Sequence, residues 1–417
     1  MTQHPTRLAR RLGVSDAVVV GLGSMIGAGI FSAAGPAAGA AGRGLLLGVV
    51  IAAALAFLNA TTMAQLARIY PESGGAYVYG RKRLGRFWGY LAGWGFVVGK
   101  LASCGAMALT FGHYAAPDHA RSLAVVAVLL LSTLNCFGVK KTAILTKLIV
   151  GFVLLTLLLV VWASLGGGAA KFSRFADPSF DGGVAGILQA SGMMFFAFAG
   201  YARIATLGEE VADPQRTIPR AILLALGTTV VVYFVVIATA ILCVDLSQLA
   251  DAKAPLVLAV ESGRFSALAP VVRLGASVAS VGVLLSLLAG VSRTTFAMAA
   301  NKELPAFFSV VHPIYQVPHR AELFVGLVVA AVVSVADIRT AIGFSSFAIL
   351  GYYAIANVAA VALKSEERQW PQWMSVAGLV SCLTIAFSLP RVSVVGGVLL
   401  FIVGSILYLF TYRRETA

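Results

Sequence analysis

The chain has 417 residues, 59% of them hydrophobic and only 12% charged, with a formal net charge of +14. A water-soluble protein of this length carries about twice that charged fraction, so composition argues against a soluble enzyme or binding domain. Lys and Arg sit in short segments between apolar blocks rather than as a stripe on one face, which fits membrane orientation better than a nucleic-acid partner.

The apolar blocks are continuous and about 20 residues long, the length an α-helix needs to cross a bilayer. A barrel would need alternation instead. In chain order the predicted spans are Val14–Ala38, Gly44–Ala67, Phe87–Phe111, Ser122–Phe137, Thr142–Leu165 and Val184–Leu207. They continue with Ile218–Leu242, Val271–Met298, Ala321–Val335, Ile338–Leu363, Trp373–Leu389 and Val392–Phe410. With the N-terminus inside, Arg7, Arg10, Arg11, Arg68, Arg81, Lys82, Arg83, Lys140, Lys141 and Lys147 share one side with Arg216, Arg293 and Lys364. Arg43, Arg121, Lys171, Lys253 and Arg339 fall on the other. The excess is about two to one and predicts both termini in the cytoplasm, in a bacterial-type cytoplasmic membrane. The segment with Arg7, Arg10 and Arg11 lacks the form of a cleavable signal peptide. Cys104, Cys136, Cys243 and Cys382 lie in or beside apolar segments without metal-ligand spacing and read as small hydrophobes; no metal or cofactor is expected.

The first span contains Gly21, Gly23, Gly27 and Gly29, each costing a helix interior about 1 kcal/mol relative to Ala. Close helix packing through Gly23 and Gly27 is one reading. The other is a local unwinding that exposes backbone N–H and C=O groups to a cavity. The sixth span favours the second, because Phe195-Phe196-Ala197-Phe198-Ala199-Gly200-Tyr201 again sets a Gly among aromatics near the membrane middle. Paired interrupted helices point to a transporter site at the midplane, with residues 14–165 and 184–363 as inverted five-helix repeats and residues 373–410 as two added helices. Free N–H groups at a half-helix N-terminus attract a carboxylate, and free carbonyls accept from an ammonium.

Three stretches carry a resemblance to the amino acid–polyamine–organocation (APC) superfamily, whose members have the LeuT-type fold. Met25-Ile26-Gly27-Ala28-Gly29-Ile30-Phe31 looks like that family's first-helix motif, Tyr70-Pro71-Glu72-Ser73-Gly74-Gly75-Ala76-Tyr77 like its first cytoplasmic loop, and Glu209-Glu210-Val211-Ala212-Asp213-Pro214 like its acidic loop after helix six. Asn301-Lys302-Glu303-Leu304-Pro305 and His312 fit its loop between spans eight and nine. The resemblance implies an all-α polytopic membrane protein of twelve helices with helices one and six broken. It implies a substrate carboxylate on the amides around Ala28 and Gly29, and an ammonium on the carbonyls of Met25, Phe196 and Ala199. Ile26, Gly27 and Gly200 complete the broken segments, Phe196 would cover the substrate, and Phe198 and Tyr201 either line the path or simply pack.

Two charges depart from that pattern. Arg203 follows Ala202, where relatives often have an acid; it is read as a coupling element or as a cation paired with Glu209 or Glu210. Lys100 falls mid-span in the third helix and is read as a proton-coupling residue or as one half of a structural ion pair. Glu72, Glu209, Glu210 and Arg216, with Arg81 and Arg83, are expected to form ion pairs of an inner gate, against the alternative of a solvated loop.

The five His residues show no metalloprotease or triad-like grouping, so the chain is not expected to be an enzyme. A channel would call for a lined pore or charged rings, and a transporter-like nutrient sensor is the remaining alternative. Small residues at Ala28, Ala197 and Ala199 beside Phe196 and Phe198 favour neutral amino acids over cationic ones or polyamines, by proton symport or by exchange, in a monomer or homodimer.

Overall fold

The computed structural model describes residues 12–72, 74–138, 143–176, 182–205 and 211–416. The chain runs through α1 (Val14–Met25), α2 (Ala28–Ala41), α3 (Leu45–Ile69), α4 (Ala76–Leu84), α5 (Arg86–Ala115), α6 (Ala120–Cys136) and α7 (Ala143–Gly166). The short α8 (Ser173–Ala176) leads into α9 (Gly183–Phe198), α10 (Ala202–Ala205) and α11 (Pro214–Cys243). Two loop helices, α12 (Leu246–Asp251) and α13 (Pro255–Glu261), precede α14 (Ala269–Ala300), α15 (His319–Val335), α16 (Ile338–Val361), α17 (Gln372–Ser388) and α18 (Arg391–Thr416). Among the described residues, nine helical stretches are long and apolar enough to cross a membrane. The described parts of the predicted spans fall on helices, with Val14–Ala38 and Val184–Leu207 each divided into separate pieces, and α4, α12 and α13 lie in segments read as loops. They are only six to nine residues long, below the length that hydrophobic periodicity can resolve.

Large apolar side chains remain exposed on the outer helices, including Leu155 and Leu158 of α7, Val231 of α11 and Phe410 of α18. A soluble fold would bury them, so they mark the lipid-facing surface. α5 occupies the centre, packed against α14, α16, α6 and α15. The ends of the bundle differ. On one, α4 meets the turn after α14 and the turn after α16, a face crowded with Arg81, Lys82, Arg83, Lys302 and Lys364 (the basic face). On the other, the Pro117–Arg121, Asp251–Lys253 and Ala336–Arg339 segments surround a cavity (the vestibule face).

Lipid offers no hydrogen bonds, so polar side chains inside the bundle must find one another. Asn59, Thr62 and Gln65 share a face of α3 and meet Asn357 of α16 and Ser375 and Cys382 of α17. Asn357 Nδ2 donates to Asn59 Oδ1 at 2.7 Å, and Thr62 Oγ1 donates to Asn357 Oδ1 at 2.8 Å. Gln65 Nε2 donates to Ser375 Oγ at 3.3 Å, and Asn59 Nδ2 contacts Cys382 Sγ at 3.3 Å. This buried network fixes α17 to the bundle. α18 is held more loosely, by Trp94 Nε1 donating to the Leu400 carbonyl at 2.9 Å and by Tyr408 against Phe87 and Tyr90. Asn357→Leu leaves buried groups on three helices unpaired and is expected to cost about 1–3 kcal/mol. Thermal unfolding in detergent should show a lowered Tm, whereas Ser405→Ala on the lipid side should not.

Candidate functional site

The first helix is interrupted as its glycines require. α1 ends at Met25, Ile26 N–H closes on the Leu22 carbonyl at 2.6 Å, and Gly27 N–H turns back to the Met25 carbonyl at 2.8 Å. Gly27 is extended at φ −120° and ψ −145°, and α2 restarts at Ala28. The amides that open α2 therefore lack intrahelical acceptors. The second interruption differs from the predicted gap. After Phe198 the backbone tightens into a 3-10 turn over Ala199–Tyr201 before the single turn of α10. A 3-10 turn still leaves carbonyls without α-helical donors, but it keeps the chain compact.

The two interruptions touch. A Cβ on Gly29 would lie 2.8 Å from Ala197 Cα, and one on Gly200 would lie 2.3 Å from the Ser24 carbonyl oxygen. Only glycine allows this approach. Two tyrosines from other helices cap the carbonyls that the breaks expose. Tyr233 of α11 is fully buried; its hydroxyl donates to the Met25 carbonyl and lies 3.2 Å from that of Ala197. Tyr353 of α16 donates to the Ala199 carbonyl at 3.4 Å and stacks on Tyr201 with ring centroids 5.4 Å apart. Sequence reasoning missed both tyrosines, because a lone Tyr in an apolar span carries no signal that separates capping from packing.

The predicted site residues gather around this contact. Met25, Ile26, Gly27, Gly29, Phe198, Ala199 and Tyr201 are buried, while Phe196 and Gly200 are half-buried. Phe198 packs on the Tyr233 ring at 4.9 Å. Ala28 joins through its backbone at the start of α2. A cavity of about 540 Å³ opens from the vestibule face and reaches Ser32 and Pro36 of α2, one to two turns beyond Gly29. Its walls carry both signs of charge, among them Asp118, Asp251, Lys253 and Arg339.

The basic face carries a layer of ion pairs. Arg81 bonds Glu303 at 2.7 Å, and Arg83 bonds Glu367. Glu303 is buried and also accepts from Tyr77 Oη at 2.7 Å, while Asn301 Nδ2 donates to that hydroxyl at 2.8 Å. Burial and the neighbouring carboxylate push the Tyr77 phenol up to about 12, so it remains a donor at neutral pH. Glu72 pairs with Lys82 at the exposed rim, and Arg216 approaches Asp213 at 3.9 Å in the open. Glu209 and Glu210 lie outside the described residues. α4 can reach Glu303 because the turn before it is set by glycine: Gly75 sits at φ +57°, where a Cβ would come 2.3 Å from Tyr352 Oη. That hydroxyl accepts from Ala76 N–H at 2.8 Å.

Three cations of the predicted spans fall in different places. Lys100 is half-buried in α5 one turn before Cys104, and among the described residues no carboxylate lies within 4.0 Å of it, so the ion-pair reading lacks a partner. Arg203 is exposed on α10, away from the packed side of that turn occupied by Ile204, which is fully buried against Gly21. Lys147 of α7 bonds Asp16 of α1 at 2.7 Å, and Asp16 in turn caps its own helix by accepting from Gly13 N–H at 3.3 Å.

Comparison with known proteins agrees with this architecture. The amino acid permease family matches residues 16–416. An uncharacterised transporter of Mycobacterium tuberculosis is 56% identical over 97% of this chain and 92% of its own length. The branched-chain amino acid permease of Bacillus subtilis is 25% identical over 99% of this chain and 95% of its own length. The methylthioribose transporter of the same organism is 26% identical over 98% and 94%. With a match that runs nearly end to end over a bundle of membrane-length helices, the chain belongs to the amino acid permease family of multi-pass membrane transporters.

Proposed function

We propose that this protein is a secondary active transporter that carries neutral amino acids across the cytoplasmic membrane by alternating access, coupled to protons. The single observation behind this reading is the contact of two interrupted helices through Gly29 and Gly200, with a cavity on one side and a closed ion-pair layer on the other. In this reading the helices form a five-plus-five inverted repeat with α17 and α18 outside it. The basic face is cytoplasmic, as its excess of Lys and Arg requires.

A zwitterion arriving through the vestibule meets groups suited to each end. Its carboxylate takes the unpaired amides at the start of α2, where the half-helix dipole also favours an anion. Its ammonium competes for the carbonyls of Met25, Ala197 and Ala199, which Tyr233 and Tyr353 hold when no substrate is bound. Displacing those hydroxyls passes the signal onward. Tyr353 is followed in reverse by Tyr352, which holds α4 through Ala76, and α4 carries Arg81 of the ion-pair layer. Lys100, with no carboxylate partner among the described residues, is a buried-span cation that tunes the coupling. The small, apolar surroundings of Ala197 and Ala199 support neutral side chains, and the named substrate of the branched-chain permease relative is in keeping with that.

Three measurements follow. In proteoliposomes, leucine, isoleucine and valine should accumulate under an imposed inward proton gradient. Uptake of lysine or arginine only into substrate-loaded vesicles would replace symport with cationic exchange, and transport of methylthioribose alone would remove amino acids as substrates. Tyr233→Phe takes the hydroxyl from the Met25 carbonyl in the empty state and leaves it only the Gly27 N–H, a cost of about 1 kcal/mol that bound substrate relieves. Leucine binding should tighten about tenfold while turnover falls; weaker binding with unchanged turnover would refute the capping role. Glu303→Gln removes the charge that holds Arg81, so the ratio of efflux to uptake should rise about threefold or more as the basic face opens more readily.

A further inference from the structure

We propose that Glu322 is the residue that binds and releases the coupled proton, in a polar pocket between α6, α14 and α15 that is separate from the helix interruptions. The proposal rests on the transport reading above and adds a site that no part of that reading uses. Glu322 stands in the first turn of α15 and is only 3% exposed. Ser292 of α14 and Asn135 of α6 face its carboxyl group, yet among the described residues the Oε2 atom has no hydrogen-bond partner. The Ser292 hydroxyl proton is committed to the Leu288 carbonyl at 2.9 Å, and Asn135 Nδ2 reaches the Leu285 carbonyl at 3.3 Å.

Two further buried atoms, one on α15 and one on α6 facing it, are also unpaired among the described residues. Ser132 Oγ of α6 points at α15 one turn beyond Glu322, where a Cβ on Gly326 would meet it at 2.4 Å. His319 Nδ1, one turn before, has no partner either. Native interiors leave few polar atoms unsatisfied, and two on the first turns of α15 with a third facing it from α6 describe a pocket with unused capacity.

The groups facing Glu322 point to a proton rather than a metal ion. Arg293 of α14 lies within electrostatic reach and would repel a second cation. Among the described residues no three His, Cys, Asp or Glu converge as a metal would need. The other titratable neighbours are Cys136 of α6 and Cys104 of α5, both of which feel the Glu322 charge, with Lys100 one turn before Cys104. His312 from the preceding loop contacts His319 at 5.2 Å, and Arg320 turns away onto the Phe307 ring at 4.9 Å. Arg293 and the N-terminus of α15 favour the carboxylate, whereas burial without full partners favours the neutral acid. A shift of α15 against α6 and α14 tips that balance. The carboxylate takes a proton from water, becomes a neutral acid that a closed pocket tolerates, and returns the proton to water when the pocket opens to the other side.

The test reads protons and substrate separately on the purified full chain. Infrared difference spectra between two pH values follow the carbonyl band of a buried carboxylic acid without any substrate. Leucine counterflow without a gradient and leucine accumulation under a proton gradient are measured in proteoliposomes. Glu322→Gln should abolish the pH-dependent band, keep counterflow near wild type, and lower gradient-driven accumulation at least about tenfold; Glu322→Asp should retain the band and part of the accumulation. A band that survives in Glu322→Gln, accumulation equal to wild type, or loss of counterflow in both variants overturns the proposal. If wild type moves no leucine, the amino acid reading fails, and the carboxyl assignment stands or falls on the infrared band.

Discussion

A helix interrupted inside a membrane frees N–H and C=O groups in a place where water cannot pair with them, and each such group left alone costs several kcal/mol. The centre of this protein is organised around that constraint. The bonds lost at Met25–Gly27 and at Ala199–Tyr201 are partly replaced by hydroxyls from two other helices, Tyr233 and Tyr353. In the proposed transport reading these replacements are reversible, since a hydroxyl that caps a carbonyl yields to a cation with the same geometric demand. Burial of the two tyrosines seals the two breaks, and in the proposed transport reading it keeps acceptors in place for an ammonium.

Polar groups elsewhere divide into those that are fully partnered and those that are not. The Asn59–Asn357–Cys382 network joins three helices and satisfies its members, which suits a part that stays rigid. The Arg81–Glu303–Tyr77–Asn301 cluster lies at a boundary between a loop helix and a turn, with Arg81 partly open to solvent. Arg81 can be rehydrated when that pair separates, and the Tyr77 hydroxyl stays on the buried Glu303. The stable network lies along the flank of α3, and the breakable one lies across the closed end of the bundle.

Much of the frame was legible in the sequence. Blocks of apolar residues near membrane length located the helices to within a few residues, and the clustered glycines at Gly27 and Gly29 marked the first interruption. The physical signal was strong because glycine and continuous hydrophobicity each have few alternative explanations. The second interruption was legible as a position but not as a shape, since Gly200 is compatible with either an extended gap or a 3-10 turn. The ion-pair partners were not legible. Glu303 lies more than two hundred residues from Arg81, and only the docking of α4 through Gly75 brings them together. Tyr233, Tyr353 and Glu322 also escaped, because what distinguishes them is which atoms of distant helices they face.

Tyr352 and Tyr353 are adjacent residues, so their side chains leave α16 about 100° apart. One hydroxyl holds α4 on the basic face and the other holds the second interruption at the centre. Both grips depend on a single variable, the angle of α16 about its own axis. Turned one way, that helix engages the two together; turned the other, it withdraws them together, as a camshaft times two valves from one rotation. Timing between the middle of the membrane and its edge is thereby built into two consecutive positions of the chain.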